Sequence, residues 1–300
     1  MVGELDEIVA RLGATLAPAS GRPRELDGGI TNRNFRVTFG DADYVVRRPG
    51  KDTELLGIDR RAERMASEAA AALGIAPAVA AALDDCLVTR FVSCRALTAA
   101  ELAGEVQQLA GDLRAFHDCG VQLPSRFHVP ELLDAYATIV RSRGAALPAE
   151  YAEATRVAAS ICTVLCTSAP QPCHNDLLAG NVIRSLDDGR LMLVDWEYAG
   201  MGDARFDLGN LSVNNDFDEA TDERMLSAYH GEAPSDSQRA ALKLMRMLSD
   251  AREAAWGVVQ GELSELDFDF AGYARQHFER LRAAAAQPLF GEWLASAASA

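Results

Sequence analysis

Residues 173–198 read CHNDLLAGNVIRSLDDGRLMLVDWEY, and the fold of the chain follows from how this stretch turns back on itself. A polar loop begins at His174-Asn175-Asp176 and closes at Asn181. An apolar run leads away through Val182 and Ile183. Asp187-Asp188-Gly189 is a turn signal, and Leu191 to Val194 returns as a second strand that delivers Asp195 at its end. The hairpin predicts that Asp195 comes back beside Asn181, with Asp176 next to both. Asn181 and Asp195 carry the hard oxygens that suit Mg²⁺. Asp176 lies five residues before Asn181 and can face an acceptor hydroxyl instead. A cation site beside a possible base is what phosphoryl transfer needs, although the stretch alone also permits metal-assisted hydrolysis. His174 is expected to stabilise the turn rather than move a proton. A carboxylate at Asp207 is expected to pack under the loop and accept its N–H groups.

The bulk properties narrow the class. Three hundred residues with 49% hydrophobic and 24% charged side chains describe an ordinary globular chain of one large domain or two modest lobes. No apolar run approaches the roughly 20 residues that span a bilayer. MVGELDEIVARLG lacks the basic and apolar regions of a signal peptide, so a cytoplasmic location is expected. A net charge of −15 argues against nucleic acid as a partner and is compatible with a cationic small substrate. The six cysteines form no CxxC and read as buried thiols. Lys51 and Lys243 are the only lysines, so 27 of the 29 basic residues are arginines. An anionic ligand must therefore be held mainly by arginine and backbone amides.

Upstream, residues 4–16 have helical period and Pro-Ala-Ser-Gly-Arg-Pro reads as a break. Leu26 to Asn34 is a tight glycine-bearing turn that includes Gly29, Thr31 and Asn32. It feeds one strand at Phe35–Phe39 and a second at Tyr44–Arg48. Glycines and hydroxyls let a backbone approach phosphates closely, yet neither GxxxxGK[ST] nor GxGxxG is present. Asp59 to Leu73 reads as a helix stopped by Gly74, with Glu63 and Glu68 as possible partners for a strand arginine. Two short strands follow, the second ending near Phe91-Val92. From residue 98 onward the pattern is helical, apart from the central hairpin. No internal repeat appears.

HNDLLAGN followed by LMLVDWEYAG resembles the catalytic and metal motifs of the choline/ethanolamine kinase family, within the kinase-like phosphotransferases that include aminoglycoside kinases. GGITNRNFRV is similar to that family's phosphate loop, and YVVRRPG to its third strand, where an arginine takes the place of the protein-kinase lysine. Glu63 matches the glutamate of the helix that follows better than Glu68 does. FDLGNLSVNN and AAWGVVQGELSELDFDFAGYA resemble bacterial choline kinase-like proteins in particular. The resemblance covers about residues 25 to 285. It implies an α+β, bilobal, protein-kinase-like fold. Residues 1–92 would form a small antiparallel-sheet lobe, and 93–300 a large helical lobe with the catalytic loop and acceptor pocket. It further implies ATP and Mg²⁺ as cofactors, adenine near Phe91 and Val92, and phosphates under Gly29, Thr31 and Asn32. Arg47, held by Glu63, would grip those phosphates. Family strands usually carry an apolar residue where this chain has Arg48. Alternation puts Arg47 and Arg48 on opposite faces, and Arg47 is assigned to the phosphates.

The acceptor pocket follows from the chemistry of a quaternary ammonium, which donates no hydrogen bond and is held by aromatic faces and carboxylates. Trp256, Trp196 and Tyr198 are candidate faces, and Asp207, Glu197 and Asp216 candidate anions. Choline stands first among acceptors, with ethanolamine, thiamine and an aminoglycoside open. A nucleotide-binding protein without transfer activity is the competing class, and the presence of Asp176, Asn181 and Asp195 together argues against it. The oligomeric state is not legible.

Overall fold

The computed structural model describes residues 2–26, 32–165 and 169–298. Gly29 and Thr31 of the expected phosphate loop, and Cys166, lie outside the described residues. After helix α1 (Val2–Gly13) comes a five-stranded antiparallel sheet. Its strands are β1 (Ala19–Leu26), β2 (Asn32–Phe39), β3 (Ala42–Pro49), β4 (Val79–Leu83) and β5 (Cys86–Arg90), in the spatial order β1-β2-β3-β5-β4. Helix α2 (Arg60–Ala72) lies between β3 and β4 in sequence. The break expected at residues 18–23 is instead mostly strand. β1 is an edge strand that pairs with β2 around an irregularity between Ser20 and Arg24, where Gly21 and Pro23 are tolerated because edge strands and bulges spare backbone donors.

Alternation in β2 and β3 does what a half-buried hairpin requires. Phe35, Val37 and Phe39 bury with Val46, Val88 and the α1 residues Ile8 and Leu12 as one apolar cluster. α2 starts because the Asp59 side chain accepts from the N–H groups of Arg61 and Ala62. It stops before Gly74, whose φ of 78° is in the left-handed region.

The larger part begins with strand β6 (Cys94–Ala96) and helix α3 (Ala99–His117), which opens on a Thr98–Glu101 capping box. Helices α4 (Val129–Ser142) and α5 (Tyr151–Leu165) precede the central stretch. There β7 (Gln171–Cys173) leads into the loop, and β8 (Val182–Ser185) and β9 (Leu191–Leu193) form the expected hairpin, with β6 on its outer edge. β10 (Gly200–Gly202) returns to pair with β7, clamping the two ends of the stretch. Helices α6 (Ala204–Asn214), α7 (Glu219–His230), α8 (Asp236–Leu263), α9 (Phe270–Ala285) and α10 (Leu289–Ala297) complete the chain. α10 carries the C-terminal segment through Ala297.

α8 is the axis of this part. It is flanked by α4, α5, α6, α9 and α10 and is too buried to show one clean apolar face. Gly209 allows the α6 crossing: a Cβ there would stand 2.5 Å from the Met245 carbonyl carbon. Among the described residues no helix is long and apolar enough to cross a membrane.

Candidate active site

The loop after β7 is shaped from below. Asp207, in the first turn of α6, accepts the N–H groups of His174 (2.8 Å) and Asn175 (2.7 Å) and lies 2.9 Å from His117 Nε2. Burial disfavours its charge. The hydrogen bond from His117, the nearby imidazoles and the loop N–H outweigh burial and hold its pKa below the ordinary carboxylate value. Asp207 is therefore the support expected under the loop, and the structure corrects its other assignment. It is fully buried beneath the backbone and does not face an acceptor. His174 is also internal. Its Nδ1 accepts from the Asp176 N–H, its Nε2 lies 3.0 Å from the Val194 carbonyl, and burial lowers its pKa. A neutral imidazole in that tautomer ties the loop to the returning strand.

These supports deliver the polar trio. Asn181 Nδ2 donates to the Asp176 carbonyl (2.8 Å) and to Asp176 Oδ2 (3.0 Å). The Asn181 amide nitrogen is thus committed to Asp176, and its oxygen is the atom left for a cation. Asp195 follows β9 in a left-handed conformation, φ 66°, and the Val194 N–H donates to the Asn181 carbonyl (2.9 Å). Arg47 arrives from β3 and contacts both Asp195 and Glu63, the latter at 3.0 Å. Arg48 points the other way, to Glu4 (3.0 Å). Glu63 is buried, whereas Glu68 makes a surface pair with Arg64. Burial opposes the Arg47 charge, but Asp195, Glu63 and Glu197 outweigh it and hold its pKa above the ordinary value.

A cleft of about 490 Å³ opens beside this cluster. It is lined by Arg47, Phe91, Val92, Asn181, Asp195 and Ile183 among others. Phe91 is stacked by Arg36, 4.1 Å from the ring centroid. Asn32 is buried, and its Nδ2 donates to Glu197 Oε2 (2.8 Å). Glu197 also takes Arg60 at 3.5 Å. This corrects the expectation for Glu197 as an acceptor anion, because its carboxylate is turned to the β2–α2 side and ties the two parts of the molecule together.

α8 and α9 bring an aromatic group against Tyr198. Trp256 Nε1 donates to the Tyr198 hydroxyl (2.8 Å) and its ring packs edge-on to Phe270 and Tyr273. Trp196 is not part of this group and stacks with His174 and Phe116 beneath the loop. Asp216 is exposed and pairs with Arg280. Three residues were not anticipated from sequence. Arg252 lies with its guanidinium 4.3 Å above the Tyr198 ring. Its Nη1 is 2.8 Å from Glu253 Oε1 and 3.5 Å from Asp176 Oδ1. Tyr273 donates to Glu253 Oε2 (2.7 Å). The signal was available in Ala-Arg-Glu-Ala-Ala-Trp, adjacent charges on an otherwise apolar stretch of helix, but no spacing rule flags such a pair.

Asp176 is almost enclosed. Burial is the main cause that raises its pKa to about 8. Arg252 opposes the rise, and Glu253, Asp195 and Glu197 add to it. A buried carboxyl whose pKa is raised, hydrogen-bonded to Asn181, is suited to receive a proton.

The Phosphotransferase enzyme family model matches residues 22–244. This chain belongs to that family. A "Probable choline kinase 1" of Arabidopsis thaliana is 25% identical over 85% of this chain and 84% of its own length. A solved choline/ethanolamine kinase family protein of Mesorhizobium loti superposes with TM-score 0.82 at 29% identity, covering 99% of each chain. LicA solved in complex with AMP has TM-score 0.72 at 24% identity and covers 96% of this chain and 98% of LicA. The phosphotransferase is thus protein-kinase-like in fold and related to alcohol-acceptor kinases. Asn181 and Asp195, at the two ends of its hairpin, line one cleft, and Asp176 in the loop before them accepts from Asn181.

Proposed function

We propose that this phosphotransferase moves the γ-phosphoryl group of ATP, with Mg²⁺, to the hydroxyl of a small amino alcohol, choline being the leading acceptor. The observation that carries the reading is that Arg47, Asn181 and Asp195 line one cleft, with Asp176 bonded to Asn181 and Glu63 to Arg47. Residues 1–92 serve as the lobe over the nucleotide, and 93–300 as the lobe that holds the acceptor. Adenine sits by Phe91 and Val92. Arg47, kept charged and oriented by Glu63, binds the phosphate oxygens.

The Asn181 oxygen and the Asp195 carboxylate fit Mg²⁺, which takes few protein oxygens and completes its shell from phosphates and water. Bound there, it would neutralise phosphate charge. Asp176, fixed by Asn181, receives or orients the proton of the acceptor hydroxyl, and Asp207 keeps the loop in register. Trp256 and Tyr198 wall the acceptor, and the choline-type names of relatives support a cationic one.

An ADP-release assay over choline, ethanolamine, thiamine and an aminoglycoside tests the reading, with Asp176→Ala as control. Acceptor-dependent ADP release is expected for an amino alcohol and is lost in the variant. Nucleotide binding without release for any acceptor would support a protein that binds but does not transfer.

A further inference from the structure

A second cavity, of about 280 Å³, is lined by α2, the end of β3, and β4, β5 and the turn that joins them. Among the described residues it shares only Arg47 and Leu87 with the larger cleft. Four guanidiniums line it, those of Arg47, Arg60, Arg61 and Arg64, against two carboxylates, Glu63 and Asp84. Their placement is costly to the fold, because Arg60 and Arg61 are the first two residues of α2, where the helix dipole disfavours cations. Their partners do not match them. Glu63 is shared by Arg47 (3.0 Å) and Arg60 (2.7 Å). Arg64 meets Glu68 in a half-exposed surface pair, which holds a guanidinium weakly. The Arg61 side chain makes no ion pair or hydrogen bond among the described residues, and only its backbone N–H is used, by Asp59. Pro49 and Leu83 add an apolar wall. Excess positive charge on a concave, partly apolar surface suits a small anion with a carbon body.

We propose that this cavity is a second ligand site, for a small phosphomonoester whose oxygens are bound by Arg61 and Arg64. Guanidiniums match phosphate through paired N–H groups. Asp84, exposed in the β4–β5 turn and without an ion pair among the described residues, can take a cationic end. A phosphorylated amino alcohol, the product of the transfer proposed above, is the member of this class that both charges fit; that choice of ligand, and not the site, rests on the kinase reading. The site is coupled to the active cleft. Arg47 lines both cavities, and Glu63 holds Arg47 and Arg60 together. A phosphate that competes for Arg60 and Arg47 loosens the grip on the nucleotide, so the two ligands weaken each other by one common factor.

The test is calorimetric titration of the full chain with glycerol 3-phosphate and with phosphoethanolamine, at rising concentrations of the Mg²⁺ complex of β,γ-methylene-ATP. Both probes are expected to bind. Their Kd should rise about threefold as the nucleotide analogue is added and then level off, as coupling between distinct sites requires. A Kd that climbs without limit means that the probe occupies the nucleotide site, and it overturns the proposal, as does absence of binding. On that plateau Arg61→Ala should weaken both probes about tenfold, the loss of one charge-assisted contact, and Arg64→Ala should do the same. Both side chains are exposed, and neither variant should change kcat or KM for ATP when no phosphomonoester is present. Unchanged affinity in both variants overturns the proposal, because the probe then sits elsewhere, the acceptor pocket included. Tighter binding of phosphoethanolamine than of glycerol 3-phosphate, with the difference lost in Asp84→Asn, supports the site with the transfer product as its ligand. Equal binding supports it for phosphomonoesters at large. The titrations need no turnover, so binding lost in Arg61→Ala upholds the site even where no acceptor gives ADP release and the kinase reading falls.

Discussion

The two walls of the candidate site are made differently. On the proposed nucleotide side, Arg47, Asn181 and Asp195 come from short strands and one hairpin, and each is placed by backbone pairing. On the proposed acceptor side, Trp256, Arg252, Glu253 and Tyr273 project from α8 and α9, and they are placed by one another's side chains. Backbone geometry is set by local patterns of strand and turn. Side-chain cages depend on a packing that no local pattern encodes. A change on the first side should therefore act through the nucleotide and metal, and a change on the second through acceptor choice.

The contrast can be broken most severely at Asp176, which touches both sides. Asp176→Ala is expected to lower kcat by about 10³-fold, within the range for loss of a general base. Calorimetry should show nucleotide affinity little changed. Asp207→Ala should act on neither wall but on their common support. Loss of a buried hydrogen-bonded carboxylate costs about 3–5 kcal/mol, to be read as a fall in the denaturant midpoint. The folded pKa of Asp207 is depressed. Its contribution is thus present above the unfolded carboxylate value and is lost as pH falls through the folded one.

Smaller effects sharpen the comparison. Glu63→Gln should raise KM for ATP about tenfold, roughly the 1.4 kcal/mol of one charge-assisted bond. Glu68→Gln, on the surface of the same helix, should change nothing measurable. Trp256→Phe keeps a ring but removes the donor to Tyr198, worth about 1 kcal/mol, and should shift acceptor KM about fivefold without touching ATP. The pH profile joins the two walls. Because Asp176 accepts a proton only when ionised and its pKa is raised to about 8, kcat/KM for the acceptor should climb with pH through that region and level off above it.

Legibility in the sequence followed the same division. The hairpin, its turn at Asp187–Gly189 and the opposite faces of Arg47 and Arg48 were readable, because period and turn chemistry state them directly. Glu63 over Glu68 was readable only through the family resemblance. β1 was hidden by Gly21 and Pro23, which mark a break unless an edge strand is already known to need a partner. Glu197 read as an acceptor anion because it sits beside Tyr198 in sequence. Neighbouring residues in its tight turn face different sides, and its carboxylate went to Asn32 and Arg60. Asp207 carried two readings, and burial under the loop decided for support. Arg252 could not be found from sequence, since its contacts with Tyr198, Glu253 and Asp176 arise only from packing.

The central claim, that Asp176 acts on the acceptor while Asn181 and Asp195 serve the metal and nucleotide, is tested most directly by single-turnover phosphorus NMR on Mg-ATP and acceptor. Wild type and Asp176→Ala are compared at nucleotide concentrations that calorimetry shows to be saturating for both. The account predicts conversion of the γ-phosphoryl signal to a phosphomonoester in the wild type and bound, unreacted ATP in the variant. Transfer by Asp176→Ala at a rate within tenfold of wild type would contradict it.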